Sequence, residues 1–255
     1  MSANEPRENL EIERKYEVVG DAPLPDAAAF ASLGFAAADP VLVRLAASYF
    51  DTADRALAEA GWAMRVRLGG ADEGWHLKER RSEGVREYSW PVSEEIPEAL
   101  RETLRERVGT AAADAVEPVA SLRTERTIVR LDRDGIAVIE LADDRVLAND
   151  HTLGIDRAWH EWEAERLGDA DPGLLDLIEP LLLARGAATS LSFAKIARAT
   201  GQLTPLAVES GADARVLAAL SVLDLADRLE ATGDRARSDE LRTIAGFVSA
   251  APPAS

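Results

Sequence analysis

Polar and apolar residues alternate with a period of two along several stretches of the chain. That spacing puts successive side chains on opposite faces of a β-strand. Residues 10–18 place Glu11, Glu13, Lys15 and Glu17 on one face, with Ile12 and Tyr16 on the other. Residues 41–52 are rich in β-branched and aromatic side chains and read as a second strand. Residues 62–68 and 74–79 flank a loop opening with Gly69-Gly70 and predict a hairpin, followed by a fifth strand over 85–92. Strands resume over 121–131, then 136–147 after the Asp134-Gly135 turn, and finally over 157–167.

A period near 3.6 marks the remaining elements. Leu100 and Leu104 stand four apart in a helix over 94–108. Leu174, Leu175, Ile178, Leu181 and Leu182 form the apolar face of a helix over 172–185, interrupted by Pro180. Helix continues over 192–200, and the Ala-rich tail predicts two more, 214–231 and 235–250, around Gly233. Residues 251–255 are expected to fray. About eight strands with a few helices predict an α+β, mainly β protein, an antiparallel barrel with helical additions. Residues 1–200 form the barrel unit in this reading and 201–255 a C-terminal helical extension.

The charges sort by strand. Arg65 and Arg67 share one face, His76 and Lys78 another, and Arg126 and Arg130 a third. Glu140 and Asp144 share a face, as do Glu161, Glu163 and Glu165. Solvent exposure is the ordinary explanation for one such strand. Six strands with acids on the first and last and bases on the middle ones point instead to charged faces turned inward. Buried like charges need counter-ions. A carboxylate wall suits a hard divalent cation such as Mg²⁺ or Mn²⁺. A wall of Arg and Lys suits phosphate. Metal-bound triphosphate meets both demands.

Composition narrows this further. The chain has 255 residues and no cysteine, which excludes disulfides, zinc thiolates and cysteine nucleophiles. With 46 acids against 29 bases the net charge is −17, which disfavours duplex nucleic acid. No apolar run is long enough to span a membrane, and the polar, acidic residues 1–14 do not resemble a signal peptide, so a cytoplasmic protein is expected. Among the bases only Lys15, Lys78 and Lys195 are lysine, all others being arginine. Lysine kept so selectively suggests that a compact ammonium is needed at those positions.

Glu11-Ile-Glu13-Arg-Lys15 resembles the Glu-x-Glu-x-Lys signature of the CYTH family of triphosphate tunnel metalloenzymes, which includes class IV adenylyl cyclases, thiamine triphosphatases and inorganic triphosphatases. The resemblance runs over roughly residues 9–199. It continues in order through Tyr49-Phe50-Asp51-Thr52, Arg65-x-Arg67, Leu77-Lys78, Arg126, Glu140 with Asp144, Glu161-x-Glu163-x-Glu165 and Lys195. It departs at Arg86-Glu87-Tyr88, where the acid reads out of phase, at Thr124 in place of a second base, and at Ala194 before Lys195.

The resemblance implies a closed eight-stranded antiparallel tunnel with flanking helices. It implies metal binding by Glu11, Glu13, Glu161, Glu163 and Glu165, and a triphosphate held by Lys15, Arg65, Arg67, Lys78, Arg126 and Lys195. Glu11, Glu13 and Lys15 are the residues on which catalysis is expected to depend. Glu140 and Asp144 would orient the metal ligands from behind or touch the metal themselves. Hydrolysis of inorganic triphosphate is the simplest activity. Adenylyl cyclisation, thiamine triphosphate hydrolysis and a sensor without turnover stand as alternatives. Trp62, Trp75, Trp90, Trp159 and Trp162 are expected to pack, and His76 and His160 to be structural. Leu217, Leu220, Leu223, Leu225 and Leu229 point to packing on the barrel or to a homodimer.

Overall fold

A computed structural model describes residues 6–82 and 84–250. The expected fraying of 251–255 lies outside the described residues. The chain opens with two short strands, β1 (Arg7–Glu11) and β2 (Glu13–Glu17). Helix α1 (Ala27–Ala31) follows, capped by the Asp26 carboxylate accepting from the Ala29 amide at 2.9 Å, then β3 (Ala36–Ala37). The long β4 (Val41–Asp51) leads through α2 (Ala56–Glu59) into β5 (Trp62–Leu68), β6 (Gly74–Arg81) and β7 (Gly84–Trp90). Helices α3 (Glu98–Val108) and α4 (Thr110–Asp114) precede the longest strands, β8 (Glu117–Arg133), β9 (Ile136–Asp150) and β10 (Ile155–Arg166). Then come α5 (Gly173–Ala184), which continues through Pro180, β11 (Ala188–Thr189), α6 (Lys195–Ala199), α7 (Leu203–Glu209), α8 (Ala214–Ala231) and α9 (Arg235–Ala250).

The strands form one antiparallel sheet of eleven, in the order β1-β7-β6-β5-β4-β8-β9-β10-β2-β11, with β3 beside β8. The expected closed, eight-stranded barrel is therefore corrected on both counts. Two of the additional strands, β3 and β11, are two-residue pairings. The third arises because the first expected strand divides at Ile12: β1 pairs with β7 and β2 with β10. These segments belong to opposite ends of the sheet. Among the described residues no ladder joins β1 to β2 or β11; the chain itself crosses from β1 to β2 through Ile12, whose carbonyl accepts from the Arg166 amide at 2.9 Å.

The sheet turns its charged faces inward, and its apolar cores lie on the outside under helices. Tyr16, Val18, Leu131, Leu141 and Trp162 pack beneath Phe30 of α1 and Leu175, Ile178 and Leu182 of α5. Met64, Trp75, Leu77, Tyr88 and Trp90 pack beneath Leu100 and Leu104 of α3 and Ala113 of α4. One end of the inner face is apolar instead: Tyr49, Leu122, Val146, Ala148 and Trp159 receive Ile196 and Ala199 of α6. The helices beyond residue 201 share their own core, with Leu203, Ala219, Leu220, Leu223 and Ala245 packed against Ala197 of α6. Leu225, by contrast, is exposed. Among the described residues no helix is long and apolar enough to cross a membrane.

Gly74 starts β6 with φ +148°, and an added Cβ would meet the Trp90 carbonyl oxygen at 2.1 Å. Gly74→Ala should therefore destabilise the fold by about 2 kcal/mol or more. Gly246, inside α9 with nothing within 4 Å, should gain about 0.5–1 kcal/mol on substitution by Ala. Urea midpoints of the two variants check both signs.

Candidate functional site

Alternate residues of nine strands face a single cavity of about 960 Å³, and they include Glu11, Glu13, Lys15, Tyr49, Arg65, Arg67, Lys78, Arg126, Glu163 and Glu165. The register shows why. Residues paired directly across antiparallel strands share a face. Lys15 stands opposite Glu163, Glu13 opposite Glu165, Asp144 opposite both Glu161 and Arg126, and Lys78 opposite Glu87.

Three buried carboxylates, Asp144, Glu161 and Glu163, have oxygens within 4.8 Å of one another, and Glu163 of this cluster lines the cavity. Three cations are wedged among them. Arg126 donates to both oxygens of Asp144, at 2.7 and 2.6 Å, and to Glu163 at 2.6 Å. Lys195, projecting from the start of α6, reaches Asp144 at 3.0 Å, Glu161 at 2.5 Å and Glu163 at 2.7 Å. Lys15 contacts Glu163 and stands 2.8 Å from Glu13.

Burial works to raise the Glu163 carboxyl, but Lys15, Lys195 and Arg126 overturn it and hold the group well below the ordinary range. Asp144 is likewise lowered, burial being outweighed by Lys195 and Arg126. Glu161 goes the other way: burial dominates, Lys195 offsets only part of it, and its carboxyl is raised. Its ion contact with Lys195 lacks hydrogen-bond geometry, so both oxygens are buried without a donor.

Glu11, Glu13 and Glu165 line the same cavity outside this cluster. Glu11 accepts from Lys78 at 2.5 Å. Burial and the nearby Glu11 push Glu165 up to about 7. Glu140 stands at the rim, paired with the exposed Arg130 at 3.1 Å. Of the two acids expected to orient the metal ligands or touch the metal themselves, Asp144 lies in the cluster and Glu140 outside it.

The opposite wall is basic. Arg65 donates to the Tyr49 hydroxyl at 3.2 Å and stands 3.7 Å from Glu87. Arg67 contacts Asp72, and burial together with Arg65 and Arg126 pushes its guanidinium down to about 9. The Nε groups of Arg65 and Arg67 are buried without an acceptor. Arg80 stacks on Phe193, 3.8 Å from the ring centroid, with no carboxylate partner among the described residues.

Three lining or supporting residues escaped the sequence reading. Glu87 reads out of phase with the family pattern, yet register with Lys78 turns it inward, where it meets His76 at 2.9 Å and Lys78 at 3.3 Å. Its inward face was legible from the hairpin pairing alone. Tyr49 stood in the family resemblance without a role in the site. Arg80 continues the face of His76 and Lys78 by period two. His160, expected to be structural, bridges Asp143 and the Gly20 carbonyl at 2.6 and 2.8 Å.

A curled antiparallel sheet lined by opposed carboxylate and guanidinium walls has a counterpart among known families. The sequence matches the CYTH domain family over residues 9–199, and the chain belongs to that family. It is 32% identical over 226 residues to the uncharacterized protein Rv2226 of Mycobacterium tuberculosis strain H37Rv, and equally to MT2285 of strain CDC 1551. The match takes in 83% of this chain and 44% of each relative, so the chain spans under half the length of these relatives. A crystal structure from Bacillus halodurans, provisionally assigned as an adenylate cyclase, shares the fold with a TM-score of 0.50 and 20% identity, over 75% of this chain and 97% of that one. The Hippeastrum protein HpAC1, provisionally an adenylyl cyclase and reported to have a dominant triphosphatase activity, aligns with a TM-score of 0.45 and 20% identity, over 81% and 99% of the two chains.

The raised Glu165 carboxyl has a consequence for stability. Between its ordinary value of 4.5 and about 7, the folded protein keeps a proton that the unfolded chain has released. Stability from this group is therefore lost as pH rises through that window. In chelator-treated protein, Glu165→Gln should be near neutral below that window and stabilising by about 1–2 kcal/mol at pH 8. Urea unfolding at both pH values checks it; equal effects at the two would remove the assignment.

Proposed function

We propose that the chain binds a triphosphate together with a divalent cation inside the curled sheet and hydrolyses it, with inorganic triphosphate the simplest substrate. One observation carries this reading. Buried groups of both signs lack hydrogen-bond partners: the Glu161 carboxylate, clustered with the lining residue Glu163 and held only by ion contacts with Lys195 and Arg198, and the Nε–H groups of Arg65 and Arg67 in the lining. A cation answers the first and a polyanion the second.

The donor set fits a hard divalent ion. Asp144, Glu161 and Glu163 offer only carboxylate oxygens within 4.8 Å of one another, and Glu11, Glu13 and Glu165 extend the acidic lining. This chemistry suits Mg²⁺ or Mn²⁺. When bound, such an ion neutralises phosphate charge and lowers the pKa of a coordinated water. The protein's own groups do the rest. Arg65, Arg67, Arg126 and Lys78 hold non-bridging oxygens and stabilise the charge that gathers on them. Lys15 and Lys195 sit between the walls, within reach of both the carboxylates and a phosphate. Water attacks phosphorus directly, so no side-chain nucleophile is needed. We read residues 1–200 as the triphosphate unit and 201–255 as its helical extension.

Phosphate release from inorganic triphosphate, ATP and thiamine triphosphate with Mg²⁺ or Mn²⁺, with cyclic AMP measured alongside, tests the reading. Hydrolysis of inorganic triphosphate should be fastest and should stop on chelation. Lys15→Ala, Glu11→Ala and Glu161→Gln should each lower kcat/KM by about 10²–10³ while remaining folded. Cyclic AMP as the sole product from ATP would replace hydrolysis by cyclisation, and full activity in folded Lys15→Ala would refute the site.

The basic wall makes a separate prediction. Arg67→Met removes a guanidinium that burial, Arg65 and Arg126 already disfavour, so the fold should tolerate it. Triphosphate affinity should fall by about tenfold or more, as expected for loss of one charge-assisted contact. Calorimetric titration of the metal-free protein checks this, and unchanged affinity would exclude Arg67 from the binding wall.

A further inference from the structure

The last helices reach the site through a buried ionic network. Arg198 lies on α6 three residues after Lys195, on the same side of the helix. Its guanidinium is divided between two carboxylates. Nη1 and Nη2 donate to Glu17 at 2.7 and 2.9 Å, while Nε and Nη2 donate to Asp227 of α8 at 2.7 and 2.9 Å. Arg242 of α9 stands 2.8 Å from Asp227 and donates to the Ala158 carbonyl of β10 at 3.0 Å. Ser190 donates to Glu17 at 2.6 Å, and the Trp159 ring lies 4.7 Å from the Arg198 guanidinium. Glu17, Arg198, Asp227 and Arg242 are all buried, and their charges balance.

This network acts on a helix that cannot orient itself. Helix α6 has five residues and no side-chain N-cap, so intrinsic propensity does little to hold it. Packing of Ile196, Ala197 and Ala199 sets how deeply it sits. Rotation about its axis is fixed by the doubly bidentate Arg198. That rotation decides where Lys195 points. Asp227 and Arg242 lie beyond the residues matched by the CYTH family, 9–199.

We propose that Asp227 and Arg242 are positioning residues of the site: acting through Arg198, they hold α6 so that the Lys195 ammonium meets Asp144, Glu161 and Glu163. The α8–α9 helices are then part of the working site rather than a cover for the sheet. The positional part stands on the geometry alone; its effect on ligand rests on the triphosphate reading above.

Only three lysines occur in the sequence, so selective ¹³C labelling of lysine gives a spectrum with one Cε signal each for Lys15, Lys78 and Lys195. Lys78→Arg and Lys195→Arg assign them. In Asp227→Asn, which keeps the side-chain shape and removes one charge, the Lys195 signal should move by more than its line width and the Lys78 signal should stay. Leu223→Ala, an uncharged cavity in the same helix, serves as the control for simple destabilisation and should leave Lys195 in place. An unmoved Lys195 signal in Asp227→Asn, or an equal displacement in Leu223→Ala, overturns the proposal. Arg242→Gln, which adds no lysine, gives the same test should Asp227→Asn not fold.

Calorimetric titration with inorganic triphosphate, without metal, supplies the second readout. Asp227→Asn should weaken binding about tenfold, and should cost nothing further when combined with Lys195→Ala. Additive losses overturn the proposal. A displaced Lys195 signal with wild-type triphosphate binding in Lys195→Ala would uphold the positioning and remove the triphosphate reading instead.

Discussion

Asp144, Glu161 and Glu163 share one buried space with Lys15, Arg126 and Lys195, and most of the molecule follows from the cost of placing them there. A single buried ion costs several kcal/mol after relaxation, and mutual attraction recovers this only where geometry is good. Glu163 meets that condition, with three cations in contact. Glu161 does not, since neither Lys195 at 2.5 Å nor Arg198 at 3.7 Å gives it a hydrogen bond and burial wins. The ionic lattice is therefore incomplete at an identifiable atom group. The same incompleteness recurs across the cavity at Arg65 and Arg67, with the opposite sign. A fold stabilised for its own sake would replace such groups by apolar side chains; on the proposed reading, the missing partners come from solution.

Giving the inner face to charge leaves the hydrophobic effect to act on the outer one. Each strand's apolar side points away from the cavity and needs a cover, which explains the helices. Leu175, Ile178 and Leu182 of α5 shield Tyr16 and Trp162, and Leu100 and Leu104 of α3 shield Trp75 and Leu77. Where α6 enters, the sheet is apolar, and Trp159 packs there with Leu122, Val146 and Ala148. Lys195 thus enters a charged cavity from a helix anchored in an apolar plug. Anchoring the base of a long flexible side chain limits the entropy it loses on pairing.

Period-two alternation made the charged faces legible, and with them Glu11, Glu13, Lys15, Arg65, Arg67, Lys78, Arg126, Glu163 and Glu165 as lining residues. Alternation says which residues share a face but not which side that face sees; the sorting of sign across strands supplied that. It could not show the division at Ile12, because a strand that changes partners mid-course keeps its period. The expectation of a closed ring failed there, where a covalent crossing stands in place of a ladder. Glu87 was misread because its phase was compared with a family pattern and not with Lys78 across the hairpin. The roles of Glu17, Arg198, Asp227 and Arg242 were hidden for a different reason: their sequence separation is large, and nothing local marks a buried ion network.

The outside of the molecule bears on what enters it. Net charge is −17, yet one wall of the cavity carries Arg65, Arg67 and Arg126 close enough to depress the Arg67 guanidinium. On the proposed reading, a free triphosphate approaching this protein is repelled at long range and attracted at the cavity. Long-range repulsion is screened beyond about 8 Å at physiological ionic strength, whereas the buried wall is screened far less. Complexation with a divalent cation cancels part of the ligand's charge and weakens the repulsion that remains. It also presents each wall with the sign it lacks in a single encounter. On the proposed reading, the acidic surface and the divided interior therefore select the same species, the metal-complexed triphosphate over the bare anion.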